Sequence, residues 1–435
     1  MLEDLLARWI THQRWFAGKG RPLDGLSIDS DIPLGDGLRH LILSVRQAGA
    51  RDRYQLLLGV SPELPDRLKH ALIGVSDEGH LFDAAHDSSL TSLLLEGMAT
   101  GRDHGPIRFR TAPGVEIDTS QRSLVLGAEQ SNTSLVFGDA YICKLFRRLI
   151  PGVNPELEVV TALAARGAAH IAQPYGWIET DVDGISTTLA FTQEYLTTSN
   201  DGWDLALASV RDLYGSLPEV SAAEAGGDFA AEAHRLGIAT AEIHRELAAA
   251  FPTDVVSPSE VKRMVEGFRR RLARALEEVP ALAEHADLVE RAFHQVEELT
   301  GKVRVQRVHG DYHLGQVMRT PVDWIVLDFE GEPGQPIEER RALASPLRDV
   351  AGMLRSFDYA AGHLLADHPE GAALRPRAAE WAIRNRAAFL DGYADVCGDD
   401  AALLRALEYD KAVYEVVYEA RNRPTWLPIP LAAFR

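Results

Sequence analysis

The stretch "RVHGDYHLGQVM", Arg307 to Met318, decides the reading of this 435-residue chain. An acid, Asp311, follows a His-Gly pair, a second His comes two residues later, and an amide, Gln316, stands five residues beyond the acid. The preceding "VRVQRV" reads as a strand, so the acid falls in a tight loop with the amide on its far side. A second strand-like run, "WIVLDFEGEP", brings Asp328 seventeen residues after Asp311. An isolated His-Gly-Asp can simply knit a turn. The amide and the second acid at these spacings point instead to phosphoryl transfer, which needs a cation on the phosphates, metal ligands and a carboxylate to orient the incoming hydroxyl. Asp311 has the chemistry of that carboxylate. Asp328 and Gln316 offer the hard oxygens that Mg²⁺ accepts.

Upstream, "SLVLGAEQSNTSLVFGDAYICKLFRRL" alternates strands with turns, and the Gly138-Asp139 connection is a hairpin signal. Lys144 ends the strand "YICKLF". The loop before it, "GAEQSNTS", lacks a glycine pattern, but Ser131, Asn132, Thr133 and their amides can contact phosphate oxygens. "NPELEVVTALAARG" then starts a helix with Asn154 as cap, Pro155 as its first residue and Gly167 as stop. Glu158, fourteen residues after Lys144, is expected to hold the ammonium. The plain alternative, a strand Lys and a helix Glu in solvent, loses ground because the two acid-bearing loops follow. A Walker-type reading of "GKG" at Gly18–Gly20 fails, since Gln13 stands where a glycine is needed and Gly20 where Ser or Thr is needed.

The length favours two or three units at about 100–200 residues each. Hydrophobic residues at 46% and charged residues at 25% are ordinary for a globular protein with sizeable cores. The net charge of −19, without a Lys/Arg run, argues against a nucleic-acid partner. Two distant cysteines, Cys143 and Cys397, argue against a disulfide framework and offer no zinc-type cluster. The N-terminus lacks a basic region followed by an apolar one, and no run of about 18 apolar residues occurs, so the chain reads as cytoplasmic with no membrane association. Three segments are expected: 1–88, a small antiparallel cap opened by an amphipathic helix; 89–200, strand-rich; and 201–435, mainly helical, carrying the loops quoted above.

"HGDYHLGQ" and "LDFEGEP" resemble the aminoglycoside phosphotransferase and choline kinase branch of the protein-kinase-like fold. The block running from Val317 to "RDVAGMLRSFDYAA", with "QRWFAGKGR" near the N-terminus and "YEARNRPTWLPIPL" near the C-terminus, is similar to bacterial maltokinases. The resemblance implies a bilobal α+β fold with an added N-terminal cap and ATP and Mg²⁺ as cofactors. It implies maltose as acceptor, phosphorylated at its reducing-end hydroxyl, and a link through trehalose synthase to α-glucan synthesis. It also implies Asp311 as base, His309 as support of its loop, Gln316 and Asp328 as metal ligands, Lys144 as the phosphate lysine with Glu158 as its partner, and Gln193, Glu194, Tyr195 and Leu196 as a hinge reading adenine. Gln316 replaces the Asn usual in the wider branch, and Tyr312 stands where Leu is more familiar, a change that bears on the sugar pocket.

The helix "LEYDKAVYEVVYEARNR" offers sugar contacts. Val413, Val416, Val417 and Ala420 share one face and are expected to pack inward; Tyr414, Tyr418 and Arg421 share a second, and Glu415 and Glu419 a third. Either a polar face lines a cleft, making Glu415, Tyr418 and Arg421 sugar contacts, or the helix surface is merely solvated. His313 and Arg348 are further substrate candidates, Asp349 is expected to brace the catalytic loop, and Glu330 to stand behind the metal. The rivals are a kinase for glucosamine, an aminoglycoside or choline, and a silent binding module, which the full set of base, metal ligands and lysine argues against.

Overall fold

The computed structural model describes residues 2–127, 131–225, 227–299, 303–332, 334–366, 368, 370–393 and 401–434; Cys397 and residues 128–130 of the "GAEQSNTS" loop lie outside them. The chain forms two compact units, residues 1–165 with 172–197, and residues 166–171 with 198–435.

The first unit opens with α1 (Leu2–Ile10), followed by β1 (Gly25–Gly35), β2 (Leu38–Gln47), β3 (Ala50–Ser61), β4 (Leu72–Ser76) and β5 (Gly79–Asp83). These strands pair antiparallel in the order β1-β2-β3-β5-β4. The apolar runs in β2 and β3 are nearly continuous because this sheet is covered on both faces. Leu41, Leu43 and Val45 face one cluster with Leu6, Ile10, Trp15 and Phe16, whereas Leu38 and Ile42 face another that includes Leu135, Phe137 and Cys143. A half-exposed sheet gives strict alternation; a doubly covered one does not.

Next come α2 (Ser88–Thr100), capped by the Asp87 side chain, β6 (Arg108–Thr111), β7 (Ser123–Val125), β8 (Thr133–Phe137), β9 (Tyr141–Leu145), β10 (Arg148–Leu149), α3 (Pro155–Ala165), β11 (Pro174–Val182) and β12 (Ile185–Glu194). They build a second sheet in the order β6-β11-β12-β9-β8-β7, while β10 crosses to pair with β3 of the first. Arg147, just before β10, is buried; it bonds Asp83 at 2.6 Å and Thr133 Oγ1 at 2.8 Å, and lies 5.0 Å over the Trp15 ring. The "RWF" of the N-terminal segment is thus a packing motif, with Trp15 and Phe16 against Tyr54.

The second unit holds β13 (Asn200–Asp201), α4 (Gly202–Gly215), α5 (Ala230–Ala250), β14 (Asp254–Val256), α6 (Pro258–Glu278), α7 (Ala286–Glu297), β15 (Val303–Val305), β16 (Val317–Arg319), β17 (Trp324–Val326), α8 (Ile337–Arg340), α9 (Leu347–His363), α10 (Gly371–Gly392), α11 (Ala401–Asn422) and α12 (Pro428–Leu431). Its core gathers Phe229, Trp324, Phe357, Trp381 and Phe389 through edge and stacked ring contacts. The strand that leads into the Asp311 loop, β15, pairs with β14, whereas β16 and β17 form the hairpin that separates Gln316 from Asp328. Among the described residues no helix is long and apolar enough to cross a membrane.

Candidate active site

In the first unit, Lys144 sits at the penultimate position of β9, and its ammonium meets both carboxylate oxygens of Glu156, each at 2.9 Å. The sequence spacing instead points to Glu158, which is not the residue whose two oxygens grip the ammonium. Asn154 Oδ1 accepts the Glu156 N–H at 2.8 Å and starts α3 at Pro155, which fixes the helix phase. Two residues are about 200° of helical turn, so Glu156 is fully buried toward β9 and Glu158 lies half-buried on another side. Gln193 adds a 3.4 Å bond from Nε2 to Glu156 Oε1, making it a brace for this ion pair. The expected hinge carries two amides that are already committed, Glu194 N–H to Gln173 O and Tyr195 N–H to Ala140 O. Thr133 is turned inward, its hydroxyl accepting from Arg147, whereas Ser131 is exposed and Asn132 half-buried.

In the second unit the loop from His309 to Gln316 is fastened almost wholly through backbone groups. The Asp349 carboxylate at the start of α9 accepts the His309 N–H at 2.7 Å and the Gly310 N–H at 2.9 Å, as expected of a brace, and takes a third bond from His244 Nε2 at 3.1 Å. Burial raises its affinity for a proton, but the His244 bond, the charges of His244 and His309 and the Gly310 amide outweigh this and hold its pKa below the usual carboxylate range. The His309 ring bridges two segments: Nε2 donates to Leu327 O at 2.7 Å, and Nδ1 accepts the Asp311 N–H at 3.3 Å. One imidazole therefore ties the segment bearing Asp311 to the segment bearing Asp328. Gly310, at φ 87°, passes so close that an added Cβ would lie 3.2 Å from the Gly331 Cα. The carboxylate of Asp311 makes no hydrogen bond or ion pair with any described residue.

Gln316 lies across from these groups, its main-chain oxygen accepting the Leu327 N–H at 2.9 Å and its Nε2 donating to Asp328 Oδ2 at 3.2 Å. Asp328 adopts φ 63°, a left-handed conformation that costs energy outside glycine and recurs at functional sites. Carboxylate oxygens of Asp328 and Glu330 come within 4.8 Å of each other. An amide oxygen and two carboxylates are a hard-oxygen set, and they fit Mg²⁺ with its remaining positions left to water and phosphate. A cavity of about 490 Å³ elsewhere in this unit is lined from α9, α10 and α12 by residues such as Ala361, Leu365 and Ile429, and none of the loop residues above borders it.

Comparison with known proteins identifies the family. The profile described as phosphotransferase enzyme family matches residues 123–382, and the one described as maltokinase N-terminal cap domain matches residues 9–87. The chain belongs to the phosphotransferase enzyme family. Relatives of this phosphotransferase include a glucosamine kinase of Streptacidiphilus jiangxiensis, 30% identical over 329 residues, or 72% of each chain. Another is a glucosamine kinase of Mycolicibacterium smegmatis, 30% identical over 328 residues, or 72% of this chain and 79% of that one. Among solved structures, a glucosamine kinase crystal form superposes with a TM-score of 0.74 at 24% identity, covering 100% of this chain and 98% of its own. A glucosamine kinase in complex with glucosamine, ADP and inorganic phosphate gives 0.72 at 24% identity, with the same coverage. The expected α+β kinase-like fold, strand-rich first and helical second with an added cap, is the one observed.

The substrate candidates of the phosphotransferase divide. His313 stays at the loop, its Nδ1 accepting the Gly315 N–H at 3.1 Å; burial lowers its pKa, Asp311 opposes this, and Lys411 and His309 lower it further. Arg348 is exposed and pairs with Glu332 at 3.2 Å. Tyr312 is a correction: its ring is buried and its hydroxyl bonds Thr240 at 2.8 Å, so it packs the core and not a sugar pocket. On α11, Val413 and Val416 pack inward as expected, but Glu415 and Glu419, 9% and 1% exposed, turn inward beside them. Glu415 meets Arg355 at 2.9 Å, and Glu419 accepts from Tyr359 at 3.1 Å and from Arg423. Arg421 is spent on exposed Glu278, and Tyr418 stacks beside Tyr414 with Arg423 over its ring. Sequence reasoning missed Lys411, which lies on α11 four residues before Glu415, one turn along the same side of the helix.

Proposed function

We propose that this chain is an ATP- and Mg²⁺-dependent sugar kinase whose acceptor is maltose and whose product is maltose 1-phosphate. The observation that carries the kinase reading is the His309 bridge, which links the Asp311 segment to the Asp328 segment while Asp311 itself is left without a partner among the described residues. In the proposed step, Asp311 accepts the proton of the sugar hydroxyl as the new oxygen–phosphorus bond forms and the bond to the ADP oxygen breaks. Gln316, Asp328 and Glu330 are the residues to hold the metal, which supplies charge neutralisation on the phosphates when bound. Lys144, fixed by Glu156, is the cation for the nucleotide phosphates. The maltokinase-type cap supports maltose as the acceptor, and association with trehalose synthase belongs to the same proposal.

A second reading, glucosamine as acceptor, is favoured by the names of the relatives. The two separate in one assay. ATP consumption and product position are measured with maltose, glucose and glucosamine at equal concentrations. Fastest turnover with maltose, yielding the 1-phosphate, is the expected result. Faster turnover with glucosamine removes maltose and leaves the chemistry of the loop standing.

A further inference from the structure

Around α9 and α11, which flank the Asp311 loop, the second unit has an unusual charge balance. Its acids are nearly all neutralised in place. Glu332 pairs with Arg348 at 3.2 Å, Asp410 takes both arms of Arg271 at 2.8 and 2.7 Å, and Glu415 meets Arg355 at 2.9 Å. Asp358 is held by Arg355 at 2.7 Å and Arg386 at 3.1 Å. Against this background Lys411 is conspicuous: half-buried, it makes no hydrogen bond or ion pair with any described residue. Its place is beside the catalytic loop. A Cβ built on Gly352 of α9 would lie 2.5 Å from the Tyr312 main-chain oxygen and 3.8 Å from the Lys411 Nζ, so loop and ammonium meet over the same glycine. Its field reaches both His313 and Glu415, adding to the lowering of the His313 pKa that burial causes and opposing the rise that burial causes in Glu415. Burial is the larger influence on each and raises Glu415 overall.

We propose that Lys411 is a specificity-determining residue that selects a neutral sugar over an amino sugar. This rests on the reading of Asp311 as the base for a sugar acceptor. An acceptor ammonium brought to Asp311 meets the like charge of Lys411 beside the same loop, while Glu332, Asp410, Glu415 and Asp358 are already paired with arginines. Were Asp311 to take that ammonium, its oxygen would be occupied when it must accept a hydroxyl proton. A neutral hydroxyl at the same ring position meets neither obstacle and can accept a hydrogen bond from Lys411, an ammonium with three donors and no acceptor. Like charges a few ångströms apart at a partly solvated site repel enough to change relative affinity by on the order of tenfold or more.

Glucose and glucosamine share one ring and differ in a hydroxyl against an ammonium, so their ratio isolates charge from size. The ratio of their kcat/KM values is measured in the full-length protein, or as competitive inhibition of maltose phosphorylation where turnover is slow. The wild type is expected to favour glucose. Lys411→Met is expected to move the ratio toward glucosamine by about tenfold and Lys411→Glu further, while Lys411→Arg keeps the wild-type ratio. Among the described residues Lys411 has no hydrogen-bond or ion-pair partner to orphan, so these variants are expected to melt with the wild type, and the Arg variant controls for shape. An unchanged ratio in both Lys411→Met and Lys411→Glu, in a protein that still prefers maltose, overturns this proposal alone. A wild type that prefers glucosamine to both neutral sugars overturns it together with the maltose assignment.

Discussion

Lys144 and Asp311 carry opposite charges and opposite surroundings. The ammonium is gripped by both oxygens of a fully buried glutamate, which a glutamine on the adjacent strand braces in turn. The carboxylate has no partner among the described residues, although its own N–H, both preceding amides and the neighbouring imidazole are tied down. The contrast follows from what each group is proposed to do. A cation that receives phosphates must hold one position and keep one charge, and an ion pair achieves both. A base that takes a proton during the reaction needs a free oxygen, so its precision has to come from the backbone that carries it. Asp349, not a partner of Asp311, provides that precision.

Changes that remove either arrangement are expected to rank in a definite order. Asp328→Ala removes a carboxylate from the proposed metal set and is expected to lower kcat by roughly a thousandfold or more and to shift the Mg²⁺ requirement upward. A titration of activity against Mg²⁺ checks this, and an unchanged curve removes Asp328 from the set. Glu156→Gln replaces a charged grip on Lys144 with a neutral one. Breaking a buried pair costs roughly 3–5 kcal/mol when one charge is orphaned. Chemical denaturation is therefore expected to show a loss approaching that size, with a raised KM for ATP. Glu158→Gln, two residues along the same helix and not on the two-oxygen grip of Lys144, is expected to cost less than Glu156→Gln and to leave the KM for ATP closer to wild type. Equal effects of the two would erase the distinction drawn between them.

A smaller effect is expected at the loop brace, and it has a pH signature. The Asp349 pKa is depressed in the folded protein, so its contribution to stability is complete above the unfolded value of 3.8 and is lost as pH falls below it toward the folded value. Asp349→Asn is expected to lower the melting temperature at neutral pH, and the gap to wild type is expected to narrow as pH drops below about 4. A gap that stays constant from pH 7 to pH 3 would mean that the carboxylate charge does not matter to the clamp.

The layout of the candidate site was legible in the sequence because its polar groups stand at short spacings. Asp311, Gln316 and Asp328 lie within eighteen residues, and one imidazole and one amide suffice to connect them. Lys144 was legible from the hairpin that precedes it. Helix phase was not: Glu156 and Glu158 have equal claims on paper, and only the Asn154 cap decides which one turns inward. On α11 the usual rule that acids face water and aromatics face inward gives the reverse of what occurs. Arg355 and Tyr359 on α9 supply buried partners for Glu415 and Glu419, leaving Tyr414 and Tyr418 outside. Those partners lie about sixty residues away in sequence, and no local pattern announces them. Lys411 belongs to no motif, although its position one turn before Glu415 was a usable signal.

The central claim is that Asp311 is the proton acceptor of a phosphoryl transfer to a sugar hydroxyl. Following maltose and ATP by phosphorus NMR with wild type and Asp311→Asn, alongside ADP binding by calorimetry, tests it directly. The expected result is maltose 1-phosphate from the wild type, a loss of about 10²–10⁴-fold in the rate of its formation by the variant, and equal ADP affinity in both. Near-normal product formation by Asp311→Asn would contradict the claim.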